Sequence, residues 1–431
     1  MSILFENILG VFEAPAGGFA LRHANVYIEH GKIAGIDHAP KDFTFTAKRR
    51  IDGRGKLLIP GLINIHTHIP MVFLRNAAED LTFHEWLFDR ILPMEAKVRA
   101  EDAYWMTQLG LMEMLRTGTT CFLDMYLFTD AIASAICDAG GRAVLSRGLV
   151  GGEGSDVKLK EAVDEIGRWR DRENLSFMMA PHAPYTCDPS YQREIVQTAK
   201  QLDVGLHTHI SESVREIEEF VAQYGMRPPQ MLEETGMLTP RTVGAHCVHV
   251  NDADIEILAR NGVHVAHNPV SNLKIANGVA PVPKFMAAGI NVGIGTDGAA
   301  SNNTLNMFKD LSVAAIVHKG FSGDPQTVKS HEALQMVWGN GAKALGMGDK
   351  IGKIAEGYAA DLVMLDLDAP NLRPLNDPIA ALAYSTSGHE VELTMVGGKI
   401  LYENGSFPTM DAERVVREVE TTCARIGLRN Q

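Results

Sequence analysis

Two histidines, His66 and His68, stand two residues apart at the end of an apolar stretch and could together bind a metal ion. The stretch reads Pro60-Gly61-Leu62-Ile63-Asn64-Ile65-His66-Thr67-His68, and the apolar run Leu57-Leu58-Ile59 precedes it. In a β-strand the side chains at positions i and i+2 point to the same face, so both imidazoles would project together. The same spacing also occurs on ordinary half-exposed strands, so the pair needs support from the rest of the chain.

The middle of the chain, about 58 to 347, alternates short β-rich runs with longer helical patterns, which predicts βα units and a parallel sheet. Eight strands are predicted, near 58–66, 119–125, 143–149, 176–182, 204–209, 242–247, 263–267 and 292–297. The predicted helices between them include Ala100–Arg116, Asp130–Ala139, Ser190–Leu202, Asp252–Asn261 and Val282–Ala288. Eight repeats of this size favour a closed (β/α)8 TIM barrel over an open sheet.

Both ends of the chain carry a different pattern, with short alternating strands broken by tight turns. Examples are 25–36 near the start and 360–366 and 392–401 near the end. This alternation is typical of antiparallel β-structure. We therefore predict three segments: 1–57 and 348–431 form one small β-sandwich domain, and 58–347 forms a metal-dependent barrel.

Polar residues stand at the predicted carboxyl ends of the barrel strands, where TIM barrels carry their chemistry. They are His66, His68, Arg147, His182, His207, His209, His246, His267 and Asp297. Polar groups are costly inside a barrel unless they are paired or bound to metal. Imidazole and carboxylate ligands suit Zn²⁺, with Fe²⁺ as an alternative.

A single metal ion per chain is expected. Two histidines of the first strand, one of the fifth strand and Asp297 would leave one position open for water, as a catalytic zinc requires. The predicted fourth strand and its end, 176–182, contain no lysine that could help to bridge a second ion.

Composition limits the partners and the compartment. The chain has 431 residues, 45% of them hydrophobic, and a formal net charge of −13, which disfavours nucleic acid or an anionic membrane as partner. No apolar stretch approaches the roughly 18 residues of a membrane span, and the N-terminus lacks the pattern of a signal peptide. Five scattered cysteines form no Cys-x-x-Cys pair, so we predict a cytoplasmic protein.

Several motifs together resemble the amidohydrolase superfamily, and within it the 5-methylthioadenosine/S-adenosylhomocysteine deaminase family. Besides the stretch at 60–68, they are Trp86 with 93–97, Ala180-Pro181-His182-Ala183-Pro184-Tyr185, His207-Thr208-His209-Ile210-Ser211-Glu212, His246-Cys247-Val248-His249, 268–274 and 295–303. These pieces span nearly the whole barrel in the expected order. The resemblance implies a metal-dependent deaminase of S-adenosylhomocysteine, 5′-methylthioadenosine and adenosine.

The resemblance also implies roles for individual residues. The metal ligands would be His66, His68, His209 and Asp297; His209 is preferred to His207 because the family pattern is His-x-x-Glu and Glu212 follows His209. Water activated by the metal would attack C6 of adenine, Asp297 would accept its proton and Glu212 would supply one to ring N1. His246 would orient the water.

Contacts to the substrate are implied for Glu95, Arg147 and His182, with Trp86 over the ligand; Glu212 and Asp297 would also face the substrate. Glu95 would accept hydrogen bonds from ribose hydroxyls. Residues 70–94 form a long connection that could act as a lid or binding element.

Structural alternatives stay open for most of these residues. His207 could be a metal ligand or fill the barrel, Glu212 could be a helix N-terminal charge, and His246 could be a hydrogen-bonded core histidine. Glu95 could cap the helix that begins near 95–102, Arg147 could form a salt bridge, and Trp86 could only anchor its loop. His249, His264 and His267 are expected to be structural.

Alternatives for the function are also open. Departures at His84, Ile210-Ser211 and 151–155 flank the pocket and weaken the choice of substrate. A triazine, a pterin, guanine or an oxidised purine is the alternative substrate class, and a non-catalytic barrel scaffold is a remote one. By family habit a homo-oligomer is expected.

Overall fold

The computed structural model describes residues 2–14, 17–39 and 45–428, which form two hydrogen-bonded sheets of eight strands each. The sixteen strands are β1 (Ile3–Glu13), β2 (Phe19–Glu29), β3 (Lys32–Ile36), β4 (Arg49–Asp52), β5 (Lys56–Pro60), β6 (Leu62–Thr67), β7 (Thr119–Tyr126), β8 (Arg142–Leu149), β9 (Leu175–Pro181), β10 (Gly205–Ile210), β11 (Thr242–His246), β12 (His264–His267), β13 (Asn291–Ile294), β14 (Leu362–Asp366), β15 (Val391–Val396) and β16 (Lys399–Glu403).

Strands β6 to β13 form the predicted barrel. Each strand pairs in parallel with the next in chain order, from β6 to β13. The backbone N–H of Asp297, beyond β13, donates to the carbonyl of His66 on β6 at 3.0 Å, so the two outer strands meet at the carboxyl end. The TIM-barrel prediction is confirmed.

Fifteen α-helices surround the two sheets in the described residues. They are α1 (Leu92–Glu95), α2 (Ala100–Arg116), α3 (Thr129–Ala139), α4 (Ser155–Trp169), α5 (Pro189–Leu202), α6 (Val214–Tyr224), α7 (Pro228–Glu234), α8 (Asp252–Arg260), α9 (Pro269–Lys274), α10 (Val282–Ala287), α11 (Met307–Ser322), α12 (Ser330–Val337), α13 (Gly339–Ala344), α14 (Pro378–Tyr384) and α15 (Ala412–Ile426). The five helices whose bounds were predicted agree with α2, α3, α5, α8 and α10 to within one residue at either end.

The first predicted strand, 58–66, is in fact two strands that belong to different sheets. Strand β5 pairs with β1 and β14 in the sheet made from the chain ends, and β6 pairs with β7 in the barrel. Gly61 lies between them, and a Cβ at this position would lie 2.0 Å from the hydroxyl oxygen of Thr120. An uninterrupted apolar run conceals this change of sheet, because both strands are buried.

The second sheet unites the two ends of the chain, as predicted, in the order β16-β15-β14-β5-β1-β2-β3, with β4 beside β1. Alternate residues of its central strands pack into different cores. Leu58 and Leu362 face a core within this domain, whereas Ile59 and Val363 pack into the core of the barrel and its helices. Because successive side chains of a strand point to opposite faces, both faces of this sheet are buried at its central strands.

The C-terminal segment is not all β-structure, because α15 packs on the barrel helix α2. The hydroxyl of Thr422 donates to Asp102 Oδ1 at 2.8 Å, and the guanidinium of Arg425 pairs with the same carboxylate. Asp102 also accepts the backbone N–H of Arg99 at 2.7 Å, which caps α2.

Residues 70–94 contain more regular structure than the predicted loop. A 3₁₀ turn covers Ile69–Leu74, a π-helical turn covers Glu85–Ile91, and α1 follows directly. Among the helices of the described ranges, none combines the length and the apolar character that a membrane crossing needs.

Replacing Gly61 by alanine should destabilise the protein, because the new methyl group would overlap Thr120. Overpacking of this kind costs about 1–3 kcal/mol. The matched control is Gly167→Ala on α4, where nothing lies within 4 Å of the new Cβ. Since alanine favours helix by about 0.5–1 kcal/mol over glycine, the control should be neutral or stabilising. Thermal unfolding of both variants measures the difference, and equal melting temperatures would contradict the proposed overlap.

Candidate active site

Five ionisable side chains meet at the carboxyl ends of the barrel strands. The side-chain atoms of His66, His68 and His209 that could bind a metal all lie within 4.8 Å of one another, as do those of His66, His246 and Asp297. All five residues are buried except His68, whose side chain is 13% exposed. The structure thus brings the four predicted metal ligands together, with His246 as a neighbour.

A bulge in β6 turns His66 and His68 into the barrel. Ile63 and Ile65 face the inner core, so regular alternation would turn His66 outward. Between Asn64 and Thr67 the register with β7 shifts: Asn64 pairs with Phe122 and Thr67 with Asp124, which leaves one extra residue on β6. Such a bulge redirects the following side chains. The two histidines share a face as predicted, but the bulge determines which face.

Other site residues lie where the backbone leaves regular strand geometry. His246 (φ +72°), Asp297 (φ +59°) and Ser211 (φ +51°), which precedes Glu212, are all left-handed. Each such non-glycine residue costs of order 1–3 kcal/mol and persists where surrounding contacts require it. Gly295 permits a close approach here, since a Cβ would lie 2.8 Å from that of His66.

The distances between the donor atoms fit a single divalent ion. His66 Nε2 and Asp297 Oδ1 are 3.4 Å apart, His68 Nε2 and Asp297 Oδ1 are 3.2 Å apart, and His68 Nε2 and His209 Nε2 are 3.4 Å apart. Two atoms bound about 2.0–2.1 Å from one ion can lie no more than about 4.2 Å apart. His66 Nε2 is buried and has no hydrogen-bond partner within the described residues. These residues therefore fit a divalent metal ion.

Hydrogen bonds fix the tautomers of the three histidines so that each Nε2 is free to bind metal. His68 Nδ1 donates to the carbonyl of Met125, and His209 Nδ1 donates to the carbonyl of His182 at 2.6 Å. A carbonyl can only accept, so in both rings the proton is on Nδ1 and the lone pair is on Nε2. Such outer contacts orient metal ligands.

The tautomer of His66 is set through two intermediate side chains. The hydroxyl of Ser146 donates to the carbonyl of Asp124 at 2.7 Å, so it accepts from His207 Nδ1 at 2.9 Å. His207 Nε2 then accepts from His66 Nδ1 at 2.9 Å. His207 therefore contacts a predicted ligand instead of acting as a fourth imidazole on the metal. Ser146 lies on the inner face of β8, and no sequence motif predicted its role in the site.

Burial and local contacts set the ionisation states of these groups. Burial lowers the pKa of His66 to about 3 and that of His209 well below its ordinary value, so both imidazoles are neutral. Burial acts in the same direction on His68, but its contact with Asp297 outweighs burial and raises the pKa of His68 to about 9, so a bound metal ion would replace a proton on this ring. Burial alone would raise the pKa of Asp297, but its contacts with His66 and His68 outweigh burial and hold that pKa well below the ordinary range. Ser271 and Ser301 donate to Asp297 Oδ2 at 2.6 and 2.8 Å, which leaves Oδ1 towards the histidines.

Glu212 lies beside the cluster as a buried carboxyl group. Its Oε2 is 3.8 Å from His246 Nε2, and its Oε1 accepts from Asn277 Nδ2 at 3.0 Å. Burial raises the pKa of Glu212, which favours the protonated form that a general acid requires. Helix α6 begins at Val214 with Ser213 as its N-cap, so Glu212 precedes the helix and is not a first-turn charge.

Glu95 lies near enough to His68 for their charges to interact. Its Oε1 is buried without a hydrogen-bond partner in the part of the chain that the structure describes, and the same holds for the hydroxyl of Tyr126. Burial raises the pKa of Glu95, partly offset by Tyr126 and His68. The alternative that Glu95 caps a helix is wrong, because Asp102 caps α2. Tyr126 was missed, although it directly follows the predicted strand 119–125 and ends β7.

His182 borders the cluster. The ring centroid of His182 lies 4.7 Å from that of His209, and burial lowers the pKa of His182 to about 4. Trp86 lies in the π-helical turn, and its Nε1 is another buried donor for which the described residues supply no acceptor.

Arg147 does not face the cluster. On β8 the inward residue is Ser146, so its neighbour Arg147 points to the helical layer outside the barrel. Its guanidinium pairs with Glu165 at 2.5 Å and Glu161 at 2.6 Å, both on α4. The expected substrate contact is therefore corrected to the salt-bridge alternative, which strand alternation explains.

His264 and His267, which were expected to be structural, contact groups outside the cluster. His267 Nε2 lies 3.1 Å from His318 Nε2, and His264 Nε2 lies 3.1 Å from the carbonyl of Pro240. His246 itself is held by asparagines: its Nδ1 is 2.9 Å from Asn272 Oδ1 and 3.2 Å from Asn268 Nδ2.

Replacing Ser146 by alanine should weaken metal binding, because His207 and then His66 lose the contact that fixes their protons. Loss of an outer contact of this kind typically costs about 10–100-fold in metal affinity. Competition against a chromophoric zinc chelator measures this change. Ser176→Ala, on the neighbouring strand β9 at the other end of the barrel, is the control and should bind zinc like the wild type. Equal zinc affinity of both variants would contradict the chain of hydrogen bonds.

Comparison with known proteins places this geometry in a family. The amidohydrolase family profile matches residues 57–401. A 5-methylthioadenosine/S-adenosylhomocysteine deaminase of Caldanaerobacter subterraneus subsp. tengcongensis is 44% identical over 405 residues, covering 93% of each chain.

Solved structures agree. An adenosine deaminase from Xanthomonas campestris with bound zinc superposes with a TM-score of 0.93 at 34% identity, covering 98% of both chains. The zinc complex of an atrazine chlorohydrolase from Arthrobacter aurescens gives 0.89 at 26% identity, covering 97% of this chain and 99% of the other. With its barrel, its cluster of histidines and aspartate and these relatives, the chain belongs to the amidohydrolase family, and within it to the 5-methylthioadenosine/S-adenosylhomocysteine deaminases.

Proposed function

We propose that this protein is a zinc-dependent aminohydrolase of adenosine-type nucleosides. Its substrates would be S-adenosylhomocysteine, 5′-methylthioadenosine and adenosine, and its products the inosine analogues and ammonia. The observation that carries the proposal is the buried carboxyl group of Glu212, with a raised pKa, beside His246 and the metal-type cluster. The named deaminase relative at 44% identity supports the substrate class.

His66, His68, His209 and Asp297 would hold the ion. When bound, a divalent metal in such a site lowers the pKa of a coordinated water, so that hydroxide is available near neutral pH. Zinc is favoured by the three imidazoles and the single carboxylate. Zinc also accompanies two structural relatives.

Asp297 and His246 act on the water. Asp297 Oδ2 is occupied by two serine hydroxyls, so Oδ1 is the oxygen available to accept the proton of the attacking water. His246 Nε2 faces the same space and would orient this water. Both side chains are buried, so bulk solvent does not compete for their hydrogen bonds.

Glu212 holds and delivers a proton. Attack at C6 of adenine places electron density on ring N1, and a carboxyl group within hydrogen-bond reach can protonate that nitrogen. Asn277 holds Oε1 of Glu212, which leaves Oε2 towards the cluster. The raised pKa keeps Glu212 protonated at a higher pH than an exposed glutamate.

Glu95, His182, Trp86 and Tyr126 would line the nucleoside pocket. Glu95 Oε1 offers an acceptor for the ribose diol, and Trp86 Nε1 and the Tyr126 hydroxyl offer donors. Glu95 and Tyr126 are close neighbours, and Trp86 Nε1 has no protein acceptor in the described ranges. A polar ligand would satisfy these buried groups, which are costly when left unpaired. Arg147 has no part in this proposal, because two glutamates neutralise it.

Triazines are a second candidate class of substrate, which the similarity to a zinc-containing atrazine chlorohydrolase supports. A bare triazine has no vicinal diol for Glu95, which favours the nucleoside. A non-catalytic scaffold is disfavoured, because all four ligand positions carry ligand residues.

Replacing Glu212 by glutamine should lower kcat by about 10²–10⁴-fold, because the amide cannot deliver a proton. Ammonia release from adenosine, 5′-methylthioadenosine, S-adenosylhomocysteine and guanine measures the activity, and metal analysis should still find about one ion per chain. Glu219→Gln, exposed on α6, is the matched control and should be active. A wild-type protein without activity on any adenosine compound would overturn the proposed function.

Replacing Glu95 by alanine should lower kcat/KM for ribosyl substrates about 10–100-fold, because a hydrogen bond to a charged group is worth about 1.5–3 kcal/mol. The same assay with a 2′,3′-dideoxy nucleoside isolates the diol contact. Wild type and variant should differ little on the dideoxy compound. An equal loss on both substrates would show that Glu95 does not bind the ribose.

A further inference from the structure

A second buried carboxylate, Glu216, supports the segment that carries Glu212. It lies in the first turn of α6 and is 6% exposed. Its Oε1 accepts from the backbone N–H of Ser211 at 3.0 Å, and its Oε2 accepts from the backbone N–H of Glu212 at 2.7 Å. One side chain thus binds the two consecutive peptide groups at the end of β10.

These two bonds act where the backbone is under strain. Ser211 has a left-handed conformation (φ +51°), which costs free energy in a non-glycine residue. The side of this corner opposite Glu216 is held by the backbone N–H of His249, which donates to the carbonyl of Ser211 at 2.9 Å. The direction of Glu212 towards His246 therefore depends on contacts from two different segments.

Glu216 is itself held in place but has no counter-ion. The hydroxyl of Ser213 accepts the backbone N–H of Glu216 at 3.2 Å. Within the described residues Glu216 forms no salt bridge, and its other ionisable neighbours are Glu212, Tyr185 and Cys247, none of them a cation. Burial raises the pKa of Glu216 to about 7. A hydrophobic side chain of similar size would avoid the cost of burying a carboxyl group without a counter-ion. Glu216 differs from such a side chain in its two acceptor oxygens, which bind the two backbone N–H groups.

We infer that Glu216 is a positioning residue, which fixes the Ser211–Glu212 corner and thereby aims the Glu212 carboxyl group at the reacting ring. The inference rests on the proposed role of Glu212. A carboxylate suits this task because each oxygen accepts one N–H, whereas an amide would present a donor to one of them. Misplacement of a reacting group by about 1 Å can cost about 100-fold in rate.

The test is Glu216→Gln, which preserves size but loses one acceptor. We expect kcat to fall about 10–100-fold, with KM changed less than about threefold and zinc content retained. Glu216→Asp keeps the carboxylate on a shorter side chain and should fall between glutamine and wild type. A crystal structure of E216Q should show a changed separation between Glu212 and His246, a measurement that needs no substrate.

Two controls separate positioning from stability. Glu390→Gln changes another buried carboxylate that accepts two consecutive backbone N–H groups, those of Ser387 and Gly388, in the segment before β15; it should lower the melting temperature without lowering kcat. Glu219→Gln on the same helix should change neither.

The outcomes are distinct. A folded, zinc-loaded E216Q with the kcat of wild type overturns the inference about Glu216. A wild type inactive on every adenosine compound overturns the proposed function instead, and the Glu212 to His246 separation in E216Q then decides the positioning role. If E216Q does not fold, Ser213→Ala, which removes the contact that anchors Glu216, should lower kcat; an unchanged kcat would overturn the inference.

Discussion

The chemistry of this protein depends on holding neutral imidazoles and one carboxylate together in a buried place. Protonated histidines in one cluster would repel one another and could not bind a metal ion. Here burial lowers the pKa of His66 and His209, and backbone carbonyls and a serine–histidine chain hold the ring protons on Nδ1. The lone pairs are therefore turned towards a common point. A substitution in these outer contacts would therefore change the tautomer or orientation of a ligand histidine without replacing the histidine itself.

The same site depends on departures from regular structure. A bulge in β6 turns His66 and His68 inward, and left-handed residues lie at the ends of three other strands: Ser211, His246 and Asp297. In the barrel every strand is paired with its neighbours. The stability of this frame offsets the conformational cost of the irregular strand ends, which direct the side chains of the site. Glu216 illustrates the arrangement, since it satisfies two peptide groups that the strand no longer pairs.

The second domain is joined to the barrel through shared core packing. Its central strands present one face to their own core and the other to the barrel helices, and α15 returns to contact α2. The chain passes from this sheet to the barrel at Gly61, six residues before the end of β6. The position of the metal-type cluster is therefore coupled to the packing of both chain ends.

Much of this was predictable from the sequence alone, because it depends on local periodicity and on residue type. Alternating βα patterns predicted the barrel and five of its helices to within one residue, and histidines and Asp297 at strand ends predicted a metal site. The sheet of the chain ends followed from the period-two pattern. The family resemblance added the roles, and Glu212 and its distance from His209 were visible in one short segment.

Tertiary structure alone decided the direction of individual side chains. Residues 58–66 read as one apolar strand, yet they divide at Gly61 between two sheets, because both halves are buried and look alike in sequence. Arg147 follows Ser146 by one position, and the register of β8 turned the serine inward and the arginine to Glu161 and Glu165. Ser146, Tyr126 and Glu216 carry no motif, since their contacts join residues that only the folded chain brings together. Residue types thus determined what chemistry is available, and strand register and bulges determined which side chains reach it.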